Sequence, residues 1–540
     1  MAVADIDADV IIVGSGISGA LLAARLSNAG VKVAILEAGQ KVDRAEATQR
    51  FWDAAIKVPE CPYPSTPQAE HPITDKPDYW YRQSGPEKFK STYLKVLGGT
   101  TWHWLGTCLR FVPNDFRLSA VYGRGVDWPL SYEELEPFYG QAEHEIGIAG
   151  DSNAALGSPR STEYPMPAIP QTFLDKTFAR ALSGTQFEVR STPQARNSIA
   201  HGDRSACCGS ASCIPICPIQ AKYDATVHLS LAQKSGAAIH AMTTATKVDV
   251  GADRRVTAIR FKRWDGSEGL AVGKAFVLAA NAIEIPRLLL NSRTAATPNG
   301  VANSSDQVGR NLMDHPAQLS WALAPTPVWP YRGPLSTSGI ENLRDGPFRR
   351  DYAAFRIEIG NDGWAWPTGA PTSTAADLAR QGLRGKALDD ALRQQASRHL
   401  RLTSLLEQLP DPHNRVTLDP NESDIYGVPL PRIAYSLDGY LEAGLSAARA
   451  AHSEIFRRLG ATEIQHGDAF EGAGHIIGTA RMGTDPKSSV VDRELRSHDH
   501  PNLFIVGAAV FPTAATANPT LTIAALSLRA ADHVKAALAR

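Results

Sequence analysis

Nowhere in its 540 residues does the chain carry an uninterrupted apolar run long enough to cross a bilayer. Charge of either sign is not in excess: 55 Lys and Arg stand against 56 Asp and Glu, a net charge of −1. No long basic stretch occurs, so the phosphate attraction that nucleic-acid binding needs is missing, and nucleic acid is excluded as a partner. The opening residues, MAVADIDADV, place Asp5, Asp7 and Asp9 where a secretory signal has basic residues and then an apolar core. Read alone, that predicts a cytoplasmic protein. Cysteine is scarce, six residues in all, too few to staple a chain of this length with a disulfide framework.

What is present is the composition of a globular enzyme, 43% hydrophobic and 21% charged. The length is too great for one simple core and predicts two domains or one elaborated domain. No internal repeat and no low-complexity tail is visible.

The clearest local pattern is ADVIIVGSGISGALLAARLSNAGVKVAILEAG. Residues 10–13 read as a buried strand, residues 20–26 as a helix ended by Gly30, and residues 31–36 as a second strand, which is a βαβ unit. Gly14, Gly16 and Gly19 fit GxGxxG at the strand-to-helix turn. The first glycine permits the turn, the second lets a pyrophosphate approach, and the third lets helix and strand pack closely. The helix N-terminus offers unpaired N–H groups to the phosphates. Glu37, closing the second strand, stands where an acid can bond a ribose hydroxyl. The pattern predicts a dinucleotide site without separating FAD from NAD.

Elsewhere, residues 40–90 read as loops, and residues 150–222 as loop-rich. SYEELEPFYGQAEHEIG reads as a helix with Ser131 as cap and Glu134 completing a capping box. KAFVLAANAIEIPRLLLNS reads as strand, turn and short helix. Residues 320–465 alternate strand-like and helical stretches and form a second domain. PNLFIVGAAV reads as a late buried strand, followed by a closing helix. One oddity remains: SACCGSASCIPICPIQA, residues 205–221, gathers Cys207, Cys208, Cys213 and Cys217. By themselves these leave a disulfide, a zinc site, an iron–sulfur cluster and coincidence all open.

Six blocks occur in an order that resembles the glucose–methanol–choline (GMC) family of FAD oxidoreductases. They are the glycine turn with VLGGTTWHW (residues 96–104), FVLAANAIEIPRLLLNS, VGRNLMDHP (308–316), GHIIGTARMG (474–483) and FPTAATANPTLTIAALSLRAA (511–531). The resemblance spans nearly the whole chain. It implies an α/β fold in which a Rossmann-like FAD-binding domain (1–45, 92–115, 223–318 and 466–540) interleaves with an α+β substrate-binding domain and connecting loops (46–91, 116–199 and 319–465). It implies His475 and Asn518 as the catalytic pair at the flavin. Alcohol oxidation asks for such a pair: a neutral imidazole suits proton removal near neutral pH, and an amide can orient the hydroxyl. It further implies cofactor contacts from Ser15, Gly98, Gly99, Thr100, Val248, Gly507, Ala508 and Thr520. His103 resembles a histidine that some relatives bond to the flavin; a non-covalent contact and a packing residue are the alternatives.

Within that family the cysteine segment, residues 200–222, is similar to the catalytic subunits of bacterial multi-subunit, FAD-dependent sugar dehydrogenases, of glucose, fructose, gluconate or sorbitol type. Their pattern implies a 3Fe-4S cluster on Cys207, Cys213 and Cys217. Thiolates are the usual ligands of such clusters, and Pro218 after the last cysteine fits them. The paired CxxC spacings of a four-thiolate zinc site are absent. The expected function is oxidation of a sugar or polyol hydroxyl, with electrons leaving through the cluster to a cytochrome or quinone-type acceptor. The expected partners are a small accessory subunit, disulfide-linked through Cys208, and a multihaem cytochrome c subunit. That places the chain in the periplasm, exported on a partner's signal and held at the membrane by its partners. The alternatives are a flavin alcohol oxidase or non-sugar dehydrogenase with structural cysteines, and a non-catalytic electron-transfer subunit.

Overall fold

A computed structural model describes residues 5–55, 58–63, 65–74, 76–362 and 372–539. The apolar run VIIV lies within strand β1, Ile6–Val13, where Val10, Ile11 and Ile12 are wholly buried, as expected of a central parallel strand. Helix α1, Ile17–Asn28, follows the glycine turn and leads into β2, Val33–Leu36, which pairs parallel with β1. Among the described residues these strands belong to a seven-stranded sheet, with Ala238–His240 beyond β2 and Glu268–Leu278 on the other side of β1. Leu503–Ile505 pairs parallel with Glu268–Leu278, and the hairpin Thr243–Val250/Val256–Arg263 extends the sheet antiparallel. Parallel strands with buried faces and a helical crossover make this half a doubly wound α/β layer.

A second sheet, six-stranded among the described residues, is antiparallel. Its order is Thr462–His466, Ala317–Leu323, His399–Leu406, Phe355–Gly360, Ser338–Ile340 and Val189–Ser191. Ile357, Ile359, Leu400, Leu402 and Leu406 pack against Leu441, Ala448, Ile455 and Phe456 of the long helix Gly439–Arg458. The opposite face of this sheet closes a large cavity against the first one.

The expected cap at Ser131 is present, with the Glu134 N–H donating to Ser131 Oγ (3.3 Å) and the Ser131 N–H to Glu134 (2.9 Å). Two helices lie where loops were expected. Arg44–Asp53 is capped by Asp43 but buries only Ala47 and Thr48, so it has almost no apolar stripe. Phe173–Ala181 carries a Thr172/Asp175 capping box inside the segment read as loop-rich.

Candidate active site

The glycine turn has the geometry that its three positions require. Gly14 takes φ +102°, and a Cβ there would lie 2.8 Å from the Ala279 carbonyl oxygen. A Cβ on Gly19 would lie 2.0 Å from the Gly14 carbonyl oxygen, so α1 can sit on β1 only with glycine at this position. No side chain caps the N-terminus of α1 at Gly16, which leaves its N–H groups open to an anion. Ser15 donates to Glu37 from its main-chain N–H (3.0 Å) and its hydroxyl (2.6 Å), and the Gly39 N–H donates to the other oxygen (2.8 Å). Burial pushes the Glu37 carboxyl above its ordinary value. The Gly98 N–H donates to Ser15 Oγ (3.0 Å), tying the VLGGTTWHW loop to the glycine turn.

A cavity of about 630 Å³ runs from this turn to the second sheet. Gly14, Ser15, Gly16, Glu37, Gly99, Thr100, His103, Gly507, Ala508 and Thr520 line it, and so do His475 and Asn518. Thr520 opens a second helix, Thr520–Leu538, whose N-terminus also has no side-chain cap. His103 Nδ1 is buried without a hydrogen-bond partner, and burial, with Lys222 and His71 nearby, pushes the ring down to about 3. The donor chemistry fits FAD: an open helix N-terminus for the pyrophosphate, a bare glycine backbone, and a buried, unpaired ring nitrogen. Val248 does not fit the expectation. Its N–H donates to Ser292 Oγ (2.8 Å) and its side chain is in the core, while Thr243, Thr244 and Ala245 of the same strand reach the cavity.

His475 and Asn518 meet, with Asn518 Nδ2 at 3.3 Å from His475 Nε2. Two residues without an assigned role in the sequence complete the geometry. His315, from VGRNLMDHP, places Nε2 at 3.1 and 3.0 Å from the carbonyl oxygens of Ala514 and Ala515, and Nδ1 at 2.9 Å from His475 Nδ1. Carbonyls only accept, so His315 Nε2 carries a hydrogen. Burial pushes His315 down to about 4, so at neutral pH its Nδ1 accepts. His475 Nδ1 therefore donates, and the lone pair of His475 is on Nε2. Arg356 Nη1 donates to Asn518 Oδ1 (3.1 Å), which turns the amide NH₂ toward that lone pair. Burial first, then His315 and Arg356, hold the His475 ring well below the usual imidazole value.

Asp314 braces the backbone of the pair. It accepts the N–H groups of His315 (2.7 Å) and His475 (3.2 Å) together with the Ser91 hydroxyl, and burial pushes it up to about 6. The arrangement can take one proton at His475 Nε2 while the Asn518 amide holds the oxygen that loses it.

The cysteines lie apart from this pair. Cys207, Cys208, Cys213 and Cys217 are free thiols. Cys207, Cys213 and Cys217 line one small cavity of about 10 Å³ with Cys208 and Arg196. Gly209 and Lys222 donate main-chain N–H groups to the sulfurs of Cys207 and Cys217, each at 3.4 Å. Arg196 is buried, with Nε and Nη1 unpaired. Among the described residues no group of three or more His, Cys, Asp or Glu side chains is spaced to hold a single metal ion. Lys222 joins the two regions, its ammonium donating to the carbonyls of Trp102 (2.9 Å) and Trp104 beside His103.

A dinucleotide turn and a histidine–amide pair on one cavity define a flavin-type oxidoreductase. The comparisons with known proteins make this specific: models of GMC oxidoreductases match residues 8–317 and 410–527, and the chain belongs to that FAD-dependent family. It is 38% identical to the fructose dehydrogenase large subunit of Gluconobacter japonicus, over 98% of each chain. To the gluconate 2-dehydrogenase flavoprotein of Pantoea cypripedii it is 24% identical, over 98% of this chain and 93% of the relative. A solved variant of the formate oxidase of Aspergillus oryzae superposes with a TM-score of 0.67 at 15% identity, over 99% of both chains, which is a likeness of fold. Among the described residues no helix is long and apolar enough to cross a membrane.

Proposed function

We propose that the chain is the FAD-bearing subunit of a sugar or polyol dehydrogenase. The observation that carries this is the His475–Asn518 pair, with its lone pair on Nε2 and open to the cavity. Bound FAD supplies the two-electron acceptor for the hydride that leaves the alcohol carbon. His475 Nε2 takes the hydroxyl proton, and Asn518 Nδ2 donates to the same oxygen and holds it as its charge grows. Loss of both the proton and the hydride makes the alcohol a carbonyl, or a lactone when the carbon is anomeric. Gly14, Gly16, Glu37, Gly99, Thr100, His103, Gly507, Ala508 and Thr520 hold the cofactor. The whole-length likeness to a fructose dehydrogenase large subunit supports the substrate class.

Cys207, Cys213 and Cys217 hold a 3Fe-4S cluster in this reading, and Cys208, exposed, is spare. A cluster supplies a one-electron carrier between the cofactor and an outside acceptor. Three findings support it: four free thiols on one cavity, main-chain N–H donors to two of the sulfurs, and the buried Arg196 guanidinium, two of whose nitrogens have no partner, which suits an anionic tenant. The cavity between the thiols, about 10 Å³, is smaller than a cluster. The segment must part to admit it. A small accessory subunit and a multihaem cytochrome c, at the periplasmic side of a membrane, complete the assembly; the likeness to a chain named as a large subunit supports partner chains.

The test is anaerobic mixing of the FAD-loaded protein with sugars, sugar acids and polyols, coupled to an artificial dye. Bleaching of the flavin by a sugar or polyol, with dye turnover and little peroxide in air, is expected. Peroxide at the rate of substrate loss makes the chain an oxidase, and no bleaching by any alcohol overturns the enzyme reading.

A further inference from the structure

The second sheet presents a charged face to the cavity, and its construction is specific. Strands Phe355–Gly360 and His399–Leu406 pair with Arg356 opposite Leu405, Glu358 opposite Thr403 and Gly360 opposite Arg401. Side chains alternate along a strand, so these six share one face. Glu358, Arg401 and Thr403 line the same cavity as His475 and Asn518.

Burying such charges is costly unless each is held. Arg401 Nε donates to Asp362 (2.9 Å) and Nη1 donates to Thr403 Oγ1. A Cβ on Gly360 would lie 2.5 Å from Arg401 Nε and Nη2, so the guanidinium lies flat across bare backbone. Gly339 does the same service for the Arg356–Glu341 pair, where a Cβ would lie 3.0 Å from Arg356 Nη2 and 2.7 Å from Glu341 Oε1. Glycine weakens a strand, and its use here marks where close approach is required.

Glu358 is left slack. Its oxygens lie 3.5 Å from Arg356 Nη1 and 3.8 Å from Arg401 Nη2, the first at the limit of a hydrogen bond and the second beyond it. Arg401 Nη2 makes no hydrogen bond among the described residues. A carboxylate oxygen and a guanidinium N–H, both facing a cavity and almost but not quite touching, match the acceptor and donor that two adjacent hydroxyls need. The same Arg356 Nη1 that approaches Glu358 also holds Asn518 Oδ1 at 3.1 Å, so this pair lies next to the reacting centre.

We propose that Glu358 and Arg401 form a subsite for a vicinal diol of the substrate, beside the hydroxyl that is oxidised. One hydroxyl donates to Glu358 Oε1 and its neighbour accepts from Arg401 Nη2. The substrate class is a neutral polyhydroxy compound. The proposal rests on the reading of the cavity as an alcohol-oxidising site.

The experiment compares kcat/KM of the FAD-loaded wild type for an accepted sugar or polyol with that for its monodeoxy analogues. Loss of a hydroxyl next to the oxidised carbon is expected to cost roughly 10- to 100-fold, the worth of one hydrogen bond to a charged group. In Glu358→Gln the ratio between parent and deoxy substrate falls toward one, and KM for the parent rises. Arg401→Lys, on the other strand, reads the same ratio independently, so a variant lost to misfolding leaves the test standing. FAD per chain and the flavin spectrum check that each variant is assembled. A variant that holds FAD and keeps the wild-type ratio overturns the subsite alone. A wild type bleached by simple monohydric alcohols and by no polyol overturns the subsite and keeps the alcohol-oxidising site, and one bleached by no alcohol overturns both.

Discussion

His315 Nδ1 and His475 Nδ1 lie 2.9 Å apart, with the rings crossed at 87°. Only one of the two nitrogens can carry the hydrogen between them, and the Ala514 and Ala515 carbonyls decide which. They hold His315's own hydrogen on Nε2, so His315 Nδ1 accepts, His475 Nδ1 carries the shared hydrogen, and His475 Nε2 is left free for chemistry. His315→Leu removes that acceptor and lets His475 place its hydrogen on either nitrogen. Substrate-driven flavin reduction, followed by stopped flow, should slow at least about 10-fold with FAD content unchanged. Loss of a tautomer-setting partner can cost as much as about 10⁴-fold. A wild-type rate would show that His475 orients itself.

The pH profile follows from the same packing. Burial, His315 and Arg356 hold His475 well below its usual value, so the base stays unprotonated as pH falls through 6.5. Its own acid limb in kcat/KM therefore lies well below pH 6.5. Asp314, pushed up to about 6 by burial, gains a proton first and then accepts less strongly from the His315 and His475 main-chain N–H groups. A shallow loss of rate near pH 6 belongs to Asp314. It should vanish in Asp314→Asn, leaving only the lower limb.

His475→Ala should keep the fold and the cofactor while flavin reduction falls roughly 10²- to 10⁴-fold, the usual cost of a lost general base. FAD per chain and the reductive half-reaction rate are the measurements. Activity within a factor of ten of wild type sinks the assignment.

The parts of this site that could be read from the chain are those encoded within one short segment. The glycine turn needs Gly14, Gly16 and Gly19 at fixed local spacing, and its βαβ context supports the reading without tertiary information. The role of His315 depends on a partner 160 residues away and on two carbonyls nearer the C-terminus, and no local pattern encodes that. The alternation in FRIEIG and HLRLTSLL is that of any half-exposed strand, and only the packing of the two sheets turns the polar face toward a cavity instead of solvent. Val248 failed for a related reason: a strand residue can face the cofactor or the core, and a one-residue change of register reverses it. The helix Arg44–Asp53 escaped notice because its surface is polar nearly all round, so periodicity is silent there.

His103 offers a buried ring nitrogen with no protein partner to the cavity. His103→Ala should lower the FAD retained per chain after gel filtration, with the cysteine segment unaffected. Retention equal to wild type would make His103 a packing residue between Trp102 and Trp104.

The cysteine segment separates ligands from bystander by a single measurement, iron and acid-labile sulfide per chain. Cys207→Ser, Cys213→Ser and Cys217→Ser should each lose iron, together with the low-temperature EPR signal of the oxidised protein. Cys208→Ser should keep both, because Cys208 is exposed while its neighbour Cys207 accepts the Gly209 N–H at the cavity. Flavin reduction by substrate should survive in the three iron-free variants, since His475 and Asn518 lie at a separate cavity, while transfer to an outside acceptor slows. Arg196→Leu should retain less iron than wild type: the guanidinium has two unpaired nitrogens against the thiols, and without it the cluster's negative charge is buried with one fewer counter-charge. Wild-type protein that is fully loaded with FAD, made under conditions supporting cluster assembly and free of iron, returns all four cysteines to a structural role.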